Sequence, residues 1–304
     1  MRIRVLPLFV CLIGCLRAEP AALELEAPEF IRVEETDDAT RLQTAVVGFT
    51  KGGVSVELVG AIHIADKEYY QGLNKRFEGY EALLFEGIGG DQPAAVPAPP
   101  GEVPAPAEKE KAAGPDEADA PPAPRKKGNL DGLHTAYEAG AEWLGLSYQM
   151  KEVDYRKANF VHADLTVAEF TALQAERGES LAGFAIKAAL KAPKDKPVKE
   201  PSSLKLLASI IRGDKSGLKR ELVHTLGAGD DQVAGLAGDN VIIGDRNAKC
   251  LEVLDREVLA GRKKLGIFYG AAHFPDMQKR LLEDGWEMSG IEWLTAWDIG
   301  GPGN

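Results

Sequence analysis

The sequence predicts an α/β protein with a central mixed β-sheet flanked by helices, a helical middle region and a disordered Pro/Ala-rich insertion. Three observations support this fold class. Strand-like and helix-like segments alternate at both ends of the chain, and the segment from 166 to 227 is mostly helical in pattern. The composition is that of a globular protein, with 304 residues of which 44% are hydrophobic and 27% are charged.

The first 22 residues, MRIRVLPLFVCLIGCLRAEPAA, have the pattern of an export leader. Two arginines precede an apolar run from Val5 to Leu16, which is shorter than the roughly 20 residues needed to span a bilayer. We therefore expect a signal peptide over residues 1–18 and an exported, periplasmic or envelope protein. The LIGC stretch resembles a bacterial lipobox, which would lipidate Cys15 and attach the protein to a membrane; simple secretion is the alternative.

The first half of the expected domain, which spans 40–300, contains a hairpin, a helix and a strand. The run LQTAVVGFTKGGVSVELVGAIHI contains two strand patterns joined at a Lys-Gly-Gly turn. KEYYQGLNKRFEGY has helical spacing, and EALLFEGIG is typical of a buried strand. The next segment, 91–128, is rich in Pro and Ala and cannot bury enough apolar surface to fold, so it is expected to be a disordered loop insertion within one domain.

The second half of the domain returns to alternating elements after the helical middle. The run DNVIIGDRNAKCLEVLDREVLAGRKKLGIFYGAAHF predicts a short turn, a long helix and a buried strand. PDMQKRLLEDG predicts a helix with Pro275 in its first turn. WEMSGIEWLTAWDIG predicts a closing hairpin. Dinucleotide-binding glycines and a phosphate-binding Gly-Lys-Ser/Thr loop are both missing from the sequence.

Two Gly-x-x-His motifs, GAIH and GAAH, end two strand patterns at His63 and His273. Glu86 ends a third strand pattern, LLFE. Functional groups of α/β sheets gather at the carboxyl ends of strands, so these three side chains are expected to converge. Two imidazoles and a carboxylate suit a divalent metal ion. The alternative is that each histidine is a hydrogen-bonded structural residue.

The remaining candidate residues are assigned smaller roles. His162 is expected near the same crevice, whereas His134 and His224 lie in helical patterns and are expected to be non-catalytic. Tyr269 is expected to be a buried tyrosine with one hydrogen bond, and Cys250 a small core residue.

The formal net charge of −11 argues against a nucleic-acid partner, because phosphate contacts need clustered Lys and Arg.

The paired GAIH and GAAH motifs, the LLFEG strand and the GDRN stretch together resemble the TraB family, which includes the TIKI-type metal-dependent proteases, within a superfamily that also holds erythromycin-esterase and ChaN-like proteins. The similarity runs from about residue 42 to 299, without the insertion. The resemblance implies a metal-dependent hydrolase, with His63 and His273 as site histidines and Glu86 as ligand or general base. It also implies that Arg246 binds an anion or the transition state.

Three classes of function are compatible with these observations. The first is an exported hydrolase acting on a peptide or protein through a water activated by Mn, Co or Zn. The second is a haem- or other ligand-binding envelope protein on the same fold, as the ChaN-like relatives suggest. The third is a non-catalytic envelope protein. Arg246 has its own alternative, a structural ion pair at the start of its helix.

Overall fold

The structure is a computed structural model that describes residues 30–88, 129–180, 183, 203–234 and 240–300. The expected signal peptide over 1–18 with Cys15, the expected insertion over 91–128 and most of the helical pattern around 181–192 lie outside these described residues.

The described strands form one large sheet and one small one. Seven strands belong to the large sheet, and β4 and β6 pair with each other in the small one. The bounds are β1 Ile31–Glu35, β2 Ala39–Lys51, β3 Val54–Ala61, β4 Ile64–Ala65, β5 Ala82–Phe85, β6 Ser147–Tyr148, β7 Phe160–His162, β8 Lys264–Gly270 and β9 Glu287–Gly300.

The described helices lie between these strands in the chain. Their bounds are α1 Lys67–Phe77, α2 Asn129–Leu144, α3 Gln149–Glu152, α4 Val167–Arg177, α5 Ser203–Arg212, α6 Lys215–Ala234, α7 Arg246–Leu259 and α8 Phe274–Glu283. A π-helical turn over Val241–Asp245 leads into α7, and a short 3-10 turn over Ala271–His273 leads into α8. Among the described residues, no helix is both long and apolar enough to cross a membrane.

The large sheet is mixed, which confirms the predicted fold class. Its central order is β2, β3, β8, β5, β7, with β1 and β9 both pairing antiparallel to β2. β3, β8, β5 and β7 run parallel to one another, so their carboxyl ends meet at one edge of the sheet. The sheet begins at Ile31, before residue 40, where the sequence pattern placed the start of the domain.

The predicted hairpin between β2 and β3 is confirmed. Lys51 pairs with Val54, and the two glycines between them, Gly52 and Gly53, have φ angles of 56° and 79°. Positive φ at both central residues is the geometry that a two-residue turn needs to match the twist of its strands. The Gly-Gly pair therefore sets the register of β3 against β2, and β3 is the first of the strands that pair in parallel.

Apolar side chains alternate between two layers, one on each face of the sheet. In β8, Ile267 and Tyr269 pack with Cys250 of α7 and Met277 of α8, whereas Phe268 packs on the other face with α1. This alternation is the period of a strand buried on both faces. It determines which side chains at the strand ends face the layer of α7 and α8.

The predicted hairpin at the end of the chain is wrong, because residues 287–300 form a single 14-residue strand, β9. β9 pairs with β2 along its whole length, and the register shifts twice, between Leu42 and Gln43 and between Gly48 and Phe49. Gly290 lies opposite Gly48 at the second shift. A glycine within a strand pattern can mark either a bulge or a turn. Here β9 continues past Gly290 along the long strand β2, so the glycine lies at a bulge.

Candidate functional site at the carboxyl ends of the parallel strands

The two Gly-x-x-His motifs lie on neighbouring strands, as predicted. β3 and β8 are parallel and in register from Ser55 opposite Lys264 to Ala61 opposite Gly270. β5, which Glu86 follows directly, is the neighbour of β8 on its other side. The strands stop at Ala61 and Gly270, so both histidines lie beyond the strand ends rather than within them.

His273 is buried, with 5% of its surface exposed. Asn247 donates its side-chain NH2 to the carbonyl of His273 at 3.0 Å and to Asp276 at 2.9 Å, so its Oδ1 is left to accept the Nδ1–H of His273 at 2.6 Å. His273 Nε2 then accepts from Arg246 Nη1 at 3.2 Å. Burial, with the charge of Arg246, holds the pKa of His273 well below 6.5. His273 is therefore a neutral imidazole with its lone pair on Nε2.

Arg246, the first residue of α7, binds two carboxyl groups. Its Nε and Nη2 donate to Asp164 at 3.0 and 2.6 Å, and Nη2 also donates to Glu86 Oε2 at 3.0 Å. Burial would lower the pKa of Arg246, but the hydrogen bond to Asp164 and the charges of Glu86 and Asp164 raise it above its usual value. The ion pair expected as the structural alternative for Arg246 is thus present.

Glu86 connects the guanidinium to the histidine motif. Its Oε1 accepts the backbone N–H of Gly270 at 2.6 Å, and its Oε2 lies 3.7 Å from His273 Nε2. The glycine of the second motif therefore brings its backbone close to the carboxylate. Glu86, Asp164, Arg246, Asn247 and His273 are called the Arg246 cluster below.

The structure places His63 differently from His273. Its side chain is exposed, and its backbone is held by the N–H of Gln149, which donates to the His63 carbonyl at 2.9 Å. The Tyr70 hydroxyl donates to the preceding carbonyl, that of Ile62, at 2.7 Å. Within the described ranges, no group of three or more His, Cys, Asp or Glu side chains is arranged around a common metal position. The role of His63 as a metal ligand stays a prediction.

Two members of the cluster, Asp164 and Asn247, were missed by the sequence reasoning. Asp164 is buried just beyond β7 and also accepts the backbone N–H groups of Gly87 and Leu165 at 2.9 and 2.7 Å. It is a carboxylate at the end of a strand pattern, the same signal that identified Glu86. Asn247 is the last residue of the GDRN stretch, next to Arg246.

The other candidates have structural contacts. Tyr269 is buried and hydrogen-bonded, as expected, but with two partners rather than one: its hydroxyl donates to the carbonyl of Ala163 and also contacts the Cys250 thiol. Cys250 is fully buried, and burial raises the pKa of its thiol, as expected for a core cysteine. His224 pairs with Glu35 at 3.0 Å, and His134 lies within α2.

His162 lies at the same edge of the sheet as the cluster. It is the last residue of β7, two positions before Asp164. Its Nε2 is 2.6 Å from the carbonyl of Gly87, the residue after Glu86, and its ring packs edge-on against Phe85. The expectation that His162 lies near the candidate site is confirmed.

The fold and this cluster define a class: an α/β protein with a buried arginine, two carboxyl groups and a neutral histidine at the carboxyl ends of parallel strands. The cluster holds two carboxyl groups against one guanidinium. In comparisons with known proteins, no family model, curated protein or solved structure matched this chain.

Proposed function

We propose that this chain is an exported, metal-dependent hydrolase whose site is the Arg246 cluster together with His63. One observation carries the proposal: Nε2 of the neutral His273 imidazole lies 3.7 Å from Glu86 Oε2, in a cluster of two carboxyl groups and one guanidinium. Two ligand atoms that each lie about 2.0–2.2 Å from one ion are separated by about 3–4 Å. The geometry of this pair therefore fits a shared divalent cation such as Mn, Co or Zn.

The surrounding contacts support this use of His273 and Glu86. Asn247 holds the imidazole in the tautomer that presents Nε2, as the partners of metal-ligating histidines do. Arg246 Nη1 donates to His273 Nε2 and also lies 3.5 Å from the carbonyl of Ile242. Nη1 would therefore still have a hydrogen-bond acceptor if Nε2 bound a metal ion. His63, held at the end of the neighbouring strand, is the proposed third ligand.

A divalent ion supplies Lewis acidity and lowers the pKa of water, which makes water a nucleophile near neutral pH. Glu86 would accept a proton from the attacking water. Arg246, oriented by Asp164, would stabilise negative charge on the substrate oxygen. The resemblance to TIKI-type proteases makes peptides the first substrate class to test.

Metal content of the purified protein tests this proposal. Wild-type protein loaded with Mn, Co or Zn and then dialysed should retain about one equivalent by elemental analysis, and His273→Ala and Glu86→Gln should lose it. The matched control is His224→Ala, which removes a histidine–glutamate pair outside the cluster and should retain the metal. Metal-dependent cleavage of denatured casein, followed by mass spectrometry, reports the peptidase activity.

Equal metal content in all four proteins would reject the metal site. A Soret band on addition of haem that is lost in His273→Ala would favour the alternative of a haem-binding envelope protein.

A further inference from the structure

Gln149, at the start of α3, has a buried side chain that is incompletely hydrogen-bonded. It is 4% exposed; its Nε2 donates to the Tyr155 hydroxyl at 2.7 Å, while its Oε1 has no hydrogen-bond partner in the described part of the chain. Turning the amide over would let Oε1 accept from Tyr155 and leave Nε2 without a partner. In either orientation one buried amide atom lacks a hydrogen bond, which destabilises the free protein.

Gln149 and Tyr155 lie next to the proposed site. The backbone N–H of Gln149 holds the carbonyl of His63 at 2.9 Å. The Tyr155 ring packs 5.2 Å from that of Phe85, the residue directly before Glu86. Burial raises the pKa of Tyr155, the hydrogen bond from Gln149 opposes this rise, and the charge of Glu86 adds to it.

The two side chains approach the sheet edge from the opposite side to Arg246. Tyr155 packs with the apolar layer of α1, whereas Tyr269 and Cys250, beside the Arg246 cluster, belong to the layer of α7 and α8. Glu86 and His63 lie at the strand ends between these layers. A chain bound along this edge would meet both sets of side chains.

The free hydrogen-bonding groups match a peptide bond. With Gln149 Nε2 bound to the Tyr155 oxygen, the hydroxyl keeps its hydrogen to donate and Gln149 Oε1 keeps its capacity to accept. A peptide group presents one carbonyl acceptor and one N–H donor. Neither side chain carries a charge, so the pair suits a neutral amide better than a carboxylate or an ammonium group.

We propose that Gln149 and Tyr155 form an amide-binding subsite that holds the backbone of a peptide substrate beside Glu86. This subsite rests on the proposed hydrolase function and deepens it by naming the residues that would bind the substrate backbone. Both residues act as positioning residues, because they bind the substrate backbone and take no part in bond cleavage.

Binding of a fluorescein-labelled, C-terminally amidated tetra-alanine peptide to metal-free protein tests the subsite by fluorescence anisotropy. Tyr155→Phe and Gln149→Met should each weaken binding by about 3- to 10-fold, the effect of losing one hydrogen bond. The matched control is Tyr80→Phe, whose hydroxyl donates to Glu57 and which precedes the opposite end of β5. Its affinity should equal that of wild type.

A set of tetra-alanine analogues with one amide replaced by an ester sharpens the test. Wild-type protein should bind one of these analogues more weakly than the others, namely the one whose ester replaces the amide held by the subsite. Gln149→Met should bind all of the analogues equally. Thermal unfolding separates binding from a structural role: Gln149→Met removes the unsatisfied amide, so its Tm should equal or exceed that of wild type while its binding falls.

Three outcomes would overturn the subsite: no binding of tetra-alanine to wild type, equal binding by wild type and both variants, or a lower Tm for Gln149→Met with unchanged affinity. If the free Gln149 oxygen is hydrogen-bonded only to a water molecule, wild type and both variants should bind tetra-alanine equally. Because the assay uses metal-free protein, failure of the metal and casein experiments rejects the hydrolase without deciding the subsite. If one variant does not fold, the other carries the test.

Discussion

The two Gly-x-x-His motifs have nearly the same sequence and lie on neighbouring parallel strands, yet their histidines have opposite environments. His273 is buried and bonded through both ring nitrogens, and its pKa is lowered by burial. His63 has an exposed side chain, and its carbonyl accepts the backbone N–H of Gln149. The elements packed beside the two motifs cause the difference: α7 and α8 cover His273, whereas the strand after His63 pairs with β6.

The glycines of the two motifs differ in the same way. A Cβ at Gly60 would lie 3.1 Å from the carbonyl oxygen of Ala45 and 3.2 Å from Thr44 Cβ, on the adjacent strand β2. A Cβ at Gly270 would meet Glu86 Oε1 at 3.3 Å. The first glycine therefore allows strands to pack, whereas the second gives the Glu86 carboxylate access to the backbone.

The largest loss of stability is expected on removing Arg246, the charged residue beside the His273 motif. Arg246→Met should lower the free energy of unfolding by about 3–5 kcal/mol, because it leaves the buried Asp164 carboxylate without its cation. Urea unfolding followed by circular dichroism measures this change. The control Arg156→Met removes an exposed ion pair with Asp154 and should leave the unfolding midpoint unchanged. Similar losses in the two variants would show that burial of the Arg246 cluster contributes little.

The next largest loss of stability is expected on replacing the two motif histidines. His273→Ala should lower the free energy of unfolding by about 2–4 kcal/mol, since it opens a cavity and leaves Asn247 Oδ1 without a donor. His63→Ala should lower it by less than about 1 kcal/mol, because that side chain is exposed. Chemical denaturation of both variants gives the difference. Equal losses would contradict the contrast between the motifs.

The two glycines test the contrast at the level of the backbone. Gly60→Ala should destabilise the fold by about 1–2 kcal/mol, because its new methyl group meets backbone and a Cβ of a paired strand. Gly270→Ala should cost less than about 1 kcal/mol, since its new methyl group comes closer than 3.4 Å to one side-chain oxygen and to no backbone atom. Elemental analysis should then show weaker metal retention by Gly270→Ala than by Gly60→Ala. The reverse order of stabilities would mean that the Glu86 side chain is the more rigid neighbour.

The smallest effect concerns pH. The pKa of His273 is lower in the folded chain than its usual value of 6.5, so the unfolded chain binds the proton first. Stability should be highest above about pH 6.5 and should fall, by at most about 1.4 kcal/mol per pH unit, as the pH drops towards the folded pKa. Unfolding free energies of wild type and His273→Gln between pH 5 and 8 measure this slope. A variant with the wild-type slope would assign the pH dependence to other groups.

Much of the strand and helix order was predictable because it depends on local patterns. The Gly-Gly turn, the apolar runs of β3, β5 and β8, and Pro275 in the first turn of α8 each act within a few residues. The closing hairpin was predicted wrongly because a glycine within a strand pattern is compatible with a turn and with a bulge, and Gly290 lies at a bulge. Only the length of β2 as a partner decides between them.

The candidate site was predictable in part. Glu86 and His273 were identified from their positions at strand ends, and the structure brings them to 3.7 Å from each other. Asp164 also follows a strand pattern, but nothing local to that pattern links it to Arg246, which lies 82 residues away in the chain. A short-range pattern does not report which carboxylate a distant guanidinium will bind.

The sequence by itself determined the order of the elements and the positions of polar residues at strand ends, because strand alternation and turn chemistry are local. The tertiary structure decided that β3, β8 and β5 are adjacent and that α7 and α8 cover His273 but not His63. Burial depends on contacts between segments far apart in the chain. Only those contacts make one of two similar motifs a buried, neutral imidazole beside two carboxyl groups and leave the other histidine exposed.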